Sequence, residues 1–154
     1  MAWTNFDADK TAGVSEILAS DWNTFVKANM ESLYPLSMTV ALSDETTNIV
    51  TGTSRVTIRA PFNMTLTQIP RASLSTASSS GTPTVDINVN GTSILGANKL
   101  SIDATEKTST TAATATTLAS SPTTISDDAE ITFDIDVAGT GARGLKVTLF
   151  FVKT

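Results

Sequence analysis

The apolar residues of this chain follow two different spacings, and the change falls near Pro35. Between residues 20 and 33 they recur at i, i+3, i+4, i+8 and i+11, which is one face of an α-helix. These positions are Trp22, Phe25, Val26, Met30 and Leu33. Ser20 or Asp21 can cap the first turn, and Pro35 stops the helix because the residue before a proline disfavours helical dihedrals. The pattern predicts one amphipathic helix.

After Pro35 the apolar residues alternate with polar ones, which is typical of strands that bury one face. The predicted strands cover residues 37–42, 53–60, 63–69, 72–74, 84–90, 92–95, 100–102, 130–137 and 145–153. The pair Asn90-Gly91 predicts a tight hairpin, because both residues tolerate a positive φ. Many short strands separated by turn signals predict a mainly β protein, an antiparallel β-sandwich or jelly roll.

Two segments follow neither spacing. Residues 105–124 are almost entirely Thr, Ala and Ser, and the β-branched threonines predict one exposed strand and a long loop around Pro122. Residues 1–19 carry scattered apolar residues, among them Trp3 and Phe6, and are interpreted as an extended arm that docks on its own domain or on a neighbour. We therefore divide the chain into an arm and anchoring helix, residues 1–35, and a β head domain, residues 36–154.

The composition excludes several kinds of functional site. The 154 residues include no Cys and no His, so a Ser-His-Asp triad, a thiolate metal site and a histidine pH switch are excluded. The net charge is −5, and the few basic residues, such as Arg55 and Arg59, are interpreted as outward residues of one strand rather than as a nucleic-acid surface. Neither a signal peptide nor a membrane span is expected. We predict no cofactor, no metal and no catalytic residue.

Three acidic groups are candidate sites. Residues 86–91 (DINVNG) match the first half of a calcium loop, but position 12 is Ala97, so a strand and a turn are expected instead. Asp134 and Asp136 share one strand face about 6.6–6.8 Å apart by strand rise, a spacing that overlaps that of inverting glycosidases but also arises wherever acids alternate with core residues. Asp127, Asp128 and Glu130 are candidates for a weak surface cation site, but a solvated acidic turn is the favoured interpretation. Lys99 and Lys107 bracket Asp103 and Glu106, which predicts a surface ion pair.

Two stretches resemble phage proteins. Residues 21–30 (DWNTFVKANM) resemble a helix near the start of many tailed-phage virion proteins. Residues 84–106 (TVDINVNGTSILGANKLSIDATE), together with 127–137 and 144–149, resemble a β-domain of phage tail-fibre and head-decoration proteins. The resemblance covers about half of the chain. It implies an oligomeric, often trimeric, part of a phage particle.

The function expected from these observations is that of a non-enzymatic virion component. We expect a homotrimer that decorates a capsid as a cement protein or belongs to a fibre, with the major capsid protein or tail components as partners. The attachment and oligomer interface is predicted at Trp3, Phe6, Trp22, Phe25, Val26, Met30 and Leu33. No nucleic acid or membrane partner is expected.

Two alternatives stay open. The first is a receptor module that binds host surface glycans through loops 75–83 and 139–144, with an exposed Phe62 to stack on a sugar ring. The second is a depolymerase that uses carboxylates, which the short chain makes the less favoured of the two. Phe150 and Val152 lie opposite the apolar face of the last strand, which predicts that both of its faces are covered, by the helix or by another subunit.

Overall fold

The computed structural model describes Val26, Asn29 and residues 36–121 and 123–154. The chain divides into two units, Met1–Pro35 and Leu36–Thr154. In the first unit, Val26 and Asn29 have helical backbone and are half-buried. The remaining residues of the predicted arm and helix, including every predicted interface residue except Val26, lie outside the described residues.

The second unit is built from short strands. Ten are described: β1 (Leu36–Ala41), β2 (Gly52–Arg59), β3 (Met64–Leu66), β4 (Arg71–Ser73), β5 (Thr84–Val89), β6 (Thr92–Ser93), β7 (Leu100–Ser101), β8 (Thr124–Ile125), β9 (Glu130–Val137) and β10 (Lys146–Lys153). One 3₁₀ turn covers Ser109–Thr111. The prediction of a mainly β protein is confirmed.

The strands form two antiparallel sheets of five strands each. The first sheet has the order β1-β10-β3-β8, and β4 also pairs with β10. The second sheet has the order β2-β9-β5-β6, and β7 also pairs with β5. The long strands β9 and β10 are therefore interior strands, with neighbours on both edges.

The pairing between strands is nested along the sequence. β1 pairs with β10, β2 with β9 and β3 with β8, and the innermost pair is β5 with β6. Successive pairs alternate between the two sheets: β1 with β10 and β3 with β8 lie in the first, and β2 with β9 and β5 with β6 lie in the second. As a result, Leu36 at the start of this unit lies opposite Phe151 near its end.

One apolar core draws on both sheets. In β9 the buried residues Ile131, Phe133 and Ile135 alternate with Asp134 and Asp136, which are less buried. In β10 the buried residues Val147, Leu149 and Phe151 show the same period, and all six belong to a single buried cluster. The alternation read from the sequence assigns the core face of β10, and that of β9 as far as Ile135, because a period of two places every second side chain on one face. The same period predicts Val137 on the core face of β9, but Val137 is 44% exposed because the ladder shifts by one residue at Asp136.

The Asn90-Gly91 hairpin is confirmed. Their φ values are 49° and 78°, and they connect β5 to β6 with Val89 opposite Thr92. Positive φ at both central positions is the requirement of a type I′ turn. Ile87 of the partial calcium motif is fully buried in the core, so residues 86–91 form the expected strand and turn.

The prediction of an exposed strand within residues 105–124 is wrong. Its described part contains the 3₁₀ turn and two isolated bridges, Ser73 to Thr108 and Leu95 to Leu118, and β8 begins only at Thr124. Threonine favours extended backbone, but a strand also needs a face to bury. A run of Thr, Ala and Ser has no such apolar face, so the segment is held by single bridges and side-chain hydrogen bonds instead.

Candidate functional site

The outer face of the second sheet carries a small charged cluster. Asp86 in β5 lies opposite Asp134 in β9. Lys99 Nζ lies 2.8 Å from Asp86 Oδ2 and donates to Ser93 Oγ at 2.8 Å, while Ser93 Oγ donates to Asp86 Oδ1 at 2.6 Å. Lys99 is therefore the partner of Asp86 and does not form the ion pair predicted with Asp103 or Glu106. The three side chains fasten the segment after β6 to β5.

Asp134 accepts hydrogen bonds from residues of both neighbouring strands, β2 and β5. Its Oδ1 accepts from the Ser54 amide at 2.6 Å, and its Oδ2 accepts from Asn88 Nδ2 at 2.9 Å. Ser54 has a φ of 47° and lies where the register between β2 and β9 shifts. Oδ1 thus holds the irregular stretch of β2, and Oδ2 holds a side chain of β5, so Asp134 has a structural role in joining β9 to both of its neighbours.

Asp136 is the extra residue of a β-bulge. Val85 lies opposite Ile135 and Thr84 opposite Val137, so Asp136 has no partner in the ladder. Partial burial raises the pKa of Asp136, and the negative charges of Asp86 and Asp134 raise it further, against the opposing effect of Lys99. Among the described residues, no group of three or more acidic side chains is arranged to hold a metal ion.

The raised pKa gives a prediction for Asp136→Asn. A folded-state pKa above the unfolded value of 3.8 means that the folded protein disfavours the charged form, so ionised Asp136 lowers stability above that pH. At pH 7, thermal unfolding should show that Asp136→Asn has a higher free energy of unfolding than the parent protein. The gain should be below about 1 kcal/mol, since the Asp136 side chain is solvated. The gain should shrink as the pH falls through the folded pKa and vanish below 3.8.

The control for this experiment is Asp127→Asn, which removes the same charge from an exposed turn. Asp127 takes part in the fold through its backbone amide, which donates to Asn63 Oδ1 at 2.8 Å. Two results would contradict a raised pKa of Asp136. One is an equal gain in stability from both variants at pH 7, and the other is a gain for Asp136→Asn that persists at pH 3.

The other acidic and basic positions have local structural roles. Arg59 lies 3.4 Å from Glu130 and also donates to the Asp128 carbonyl at 3.1 Å. This places Arg59 against the acidic turn, in agreement with an outward strand residue. Glu130 is thereby neutralised by a cation of the same chain.

The two loops predicted to bind a glycan lie together and bond to each other. The Ser79 amide donates to the Thr140 carbonyl at 2.9 Å, and the Thr140 amide donates to the Ser80 carbonyl at 2.9 Å. Ser78 is fully buried between them, and its Oγ donates to the Ser80 carbonyl at 2.6 Å. Gly139, with a φ of 69°, packs against Ser78 and Pro83. These loops therefore use part of their backbone hydrogen-bonding groups to bind each other.

Phe62, the ring expected to be exposed for stacking on a sugar, is a partner of the core. It is half-buried, its ring centroid lies 5.9 Å from that of Phe151, and the Lys153 ammonium lies 5.4 Å from its centroid. The ring therefore packs against the core under a lysine.

A groove of about 330 Å³ lies beside β4 and was not predicted. Its walls are formed by Gln68, Ile69, Pro70, Arg71, Ser109, Thr110, Ala112, Ala115 and Thr116. One wall is the short connection from β3 to β4, and the other is the Thr/Ala/Ser segment that the sequence assigned to an exposed strand. The volume falls within the range of about 300–1,000 Å³ typical of small-molecule sites.

Arg71 is the charged residue of this groove. Its guanidinium lies 5.0 Å from the ring centroid of Phe150, and its Nη2 donates to Gln68 Oε1 at 3.2 Å. Among the described residues, no carboxylate lies within ion-pair distance of Arg71. Phe150, which the sequence placed on the outer face of β10, is thus partly covered by an arginine of the same sheet.

The second wall is fixed by hydrogen bonds rather than by a strand. Ser109 Oγ accepts from the Ala72 amide of β4 at 2.9 Å, and Thr116 Oγ1 donates to the Lys99 carbonyl at 3.2 Å. Asp103 Oδ2 accepts from the Ala113 amide at 2.8 Å, and Glu106 Oε2 accepts from Thr111 Oγ1 at 2.5 Å. These contacts hold several short hydroxyl and methyl side chains against the groove.

Comparison of the chain with protein-family models, with curated proteins and with solved structures finds no significant match. Within the described part of the chain, no helix has the length and apolar character that a membrane span requires.

Proposed function

We propose that the chain is a non-enzymatic structural component of a phage virion, a trimeric capsid-decorating or fibre-type protein. Residues 36–154 form its jelly-roll head domain, and residues 1–35 attach it to the particle or to sister subunits. The observation that carries the proposal is the nested pairing of strands across two antiparallel sheets.

The strand order supports a jelly roll once interrupted strands are counted as one. Pro70 separates β3 from β4, which both pair with β10, and β6 and β7 both pair with β5. Eight strands result, and the first pairs with the eighth, the second with the seventh, the third with the sixth and the fourth with the fifth. This pairing agrees with the proposed double-sheet jelly roll, an architecture of viral capsid proteins and lectins.

A fold alone does not determine function, so the virion role rests on two further supports. One is the resemblance of residues 21–30 and of the β segments to phage virion proteins. The other is the separate N-terminal unit, Met1–Pro35, whose sequence predicts an apolar helix face. A head domain without Cys or His and a separate apolar N-terminal segment suit a particle component that works without cofactors.

The proposal is tested on particles whose genome encodes this chain. We expect antibodies raised against residues 36–154 to label purified particles at regular positions on the capsid or the tail in electron microscopy. If the protein is abundant in infected cells but missing from purified particles, the virion assignment is wrong.

A second candidate function, binding of a surface glycan, is favoured by the groove beside β4. Lectins share the proposed architecture, and the groove combines hydroxyl side chains with one arginine. This candidate is compatible with the virion role, since a particle component can also contact a host surface.

A further inference from the structure

We propose that the groove beside β4 binds a carboxylated sugar, with Arg71 as the residue that recognises the carboxylate. This deepens the glycan-binding candidate above and rests on it. The virion role does not depend on it, because the particle-labelling experiment reads attachment and not ligand binding.

The geometry at Arg71 points to an anionic group. A guanidinium is a planar fork of five N–H donors that matches a carboxylate with two parallel hydrogen bonds. The Phe150 ring supports the guanidinium at 5.0 Å, and Gln68 Oε1 accepts one of its N–H groups at 3.2 Å. In the part of the chain that the structure describes, the other donors of Arg71 have no partner.

Arg71 is one of the cations of the domain that no carboxylate pairs among the described residues, as are Arg55, Lys107, Arg143 and Lys153. Arg59, Lys99 and Lys146 each form an ion pair with a carboxylate, whereas Arg71 has no acidic neighbour at that distance in residues 36–121 and 123–154. Arg71 is also the charged side chain among the lining residues of the groove. A ligand carboxylate would therefore meet a cation already held in place but not neutralised.

The remaining lining favours a sugar over other carboxylates. Ser109 and Thr110 offer hydroxyl groups, and a hydroxyl both donates and accepts hydrogen bonds, as sugar hydroxyls do. Ser109 Oγ accepts from the Ala72 amide and keeps its own O–H as a donor, whereas the buried Thr116 hydroxyl already donates to the Lys99 carbonyl. Ile69, which is 43% exposed, and Pro70 provide a small apolar surface for the C–H face of a ring. Among the described residues, no second cation lines the groove, so a single negative charge is matched.

Uronic acids and sialic acids share this chemistry, and binding experiments distinguish them. The full-length protein is titrated with galacturonic acid and with 3′-sialyllactose, each of which carries one carboxylate, while lactose serves as the neutral control and acetyl-trialanine as a carboxylate without hydroxyls. Chemical-shift changes are followed by NMR up to about 10 mM ligand, which covers weak single-site affinities. We expect saturable binding of at least one acidic sugar and at least tenfold weaker binding of lactose and acetyl-trialanine.

Variants then locate the site. Arg71→Gln should weaken binding of the acidic sugar at least tenfold, whereas the matched change Arg55→Gln, on an exposed residue of β2, should leave it unchanged. If Arg71→Gln fails to fold by circular dichroism, Arg71→Lys serves instead and should weaken binding several-fold, because it keeps the charge but loses the fork. Thr110→Val should weaken sugar binding several-fold.

Three results would overturn the proposal. They are the absence of binding for both acidic sugars, binding that Arg71→Gln or Arg71→Lys leaves unchanged, and binding of acetyl-trialanine as strong as that of the sugars. The last result would assign the groove to a peptide carboxylate. Regular labelling of particles together with any of these three results would leave the virion role standing and remove the sugar site alone.

Discussion

Replacing Phe133 with alanine is expected to lower the free energy of unfolding by about 3–5 kcal/mol, the usual cost of deleting a buried aromatic side chain. Phe133 is completely buried in β9, and its register neighbours are Val56 on β2 and Ile87 on β5. The side chain therefore lies at the centre of the second sheet and in the core cluster that includes residues of both sheets. Its removal leaves a cavity that three adjacent strands cannot easily close.

Chemical denaturation of the parent protein and of Phe133→Ala measures the loss in free energy of unfolding. An unchanged slope of that free energy against denaturant concentration indicates that the variant has lost stability and that its denatured state is unaltered. The control is Val137→Ala in the same strand, because Val137 is 44% exposed and should cost less than about 1 kcal/mol. If both variants lose the same stability, the shared core described for the two sheets is wrong.

Replacing Phe25 with aspartate is expected to abolish assembly of the chain while leaving its β structure intact. The reason lies in the sequence: Phe25 occupies the middle of the apolar face that Trp22, Val26, Met30 and Leu33 complete. A carboxylate placed in a packed interface without a partner costs several kcal/mol per chain, and the cost is repeated in every subunit.

The matched control is Asn23→Asp, which introduces the same charge on the polar side of the predicted helix. It should assemble like the parent protein. Size-exclusion chromatography reports assembly, and far-ultraviolet circular dichroism reports β content. A Phe25→Asp variant that elutes with the parent would remove the helix face from the interface, and equal disruption by both variants would indicate a general charge effect.

The sequence predicts the parts of the fold that depend on local pattern. The alternation in residues 84–90 and 130–137 identifies β5 and β9, with the buried face of β9 correct as far as the bulge at Asp136. Asn90-Gly91 identifies the hairpin between β5 and β6. Nested pairing of β1 with β10 joins residues more than 100 positions apart, as for Leu36 and Phe151. No local pattern specifies such pairing, because it depends on how both sheets share their core.

The charged contacts and the groove show the same limit. The sequence places Lys99 near Asp103 or Glu106, but the turn after β6 carries it to Asp86 on the neighbouring strand. The groove wall at residues 109–116 comes from a segment whose composition predicts a strand, and no residue of it carries a recognisable motif. Arg71 stands out only when Phe150, far along the chain, is placed under its guanidinium.

Light scattering of the purified full-length chain at several concentrations tests the central claim most directly. If the chain is a trimeric particle component that associates through residues 1–35, the mass should be three times the 16.1 kDa of one chain and should not change on dilution. The Phe25→Asp variant should then give the mass of a single chain. A mass of 16.1 kDa for the unaltered protein at every concentration would contradict the claim.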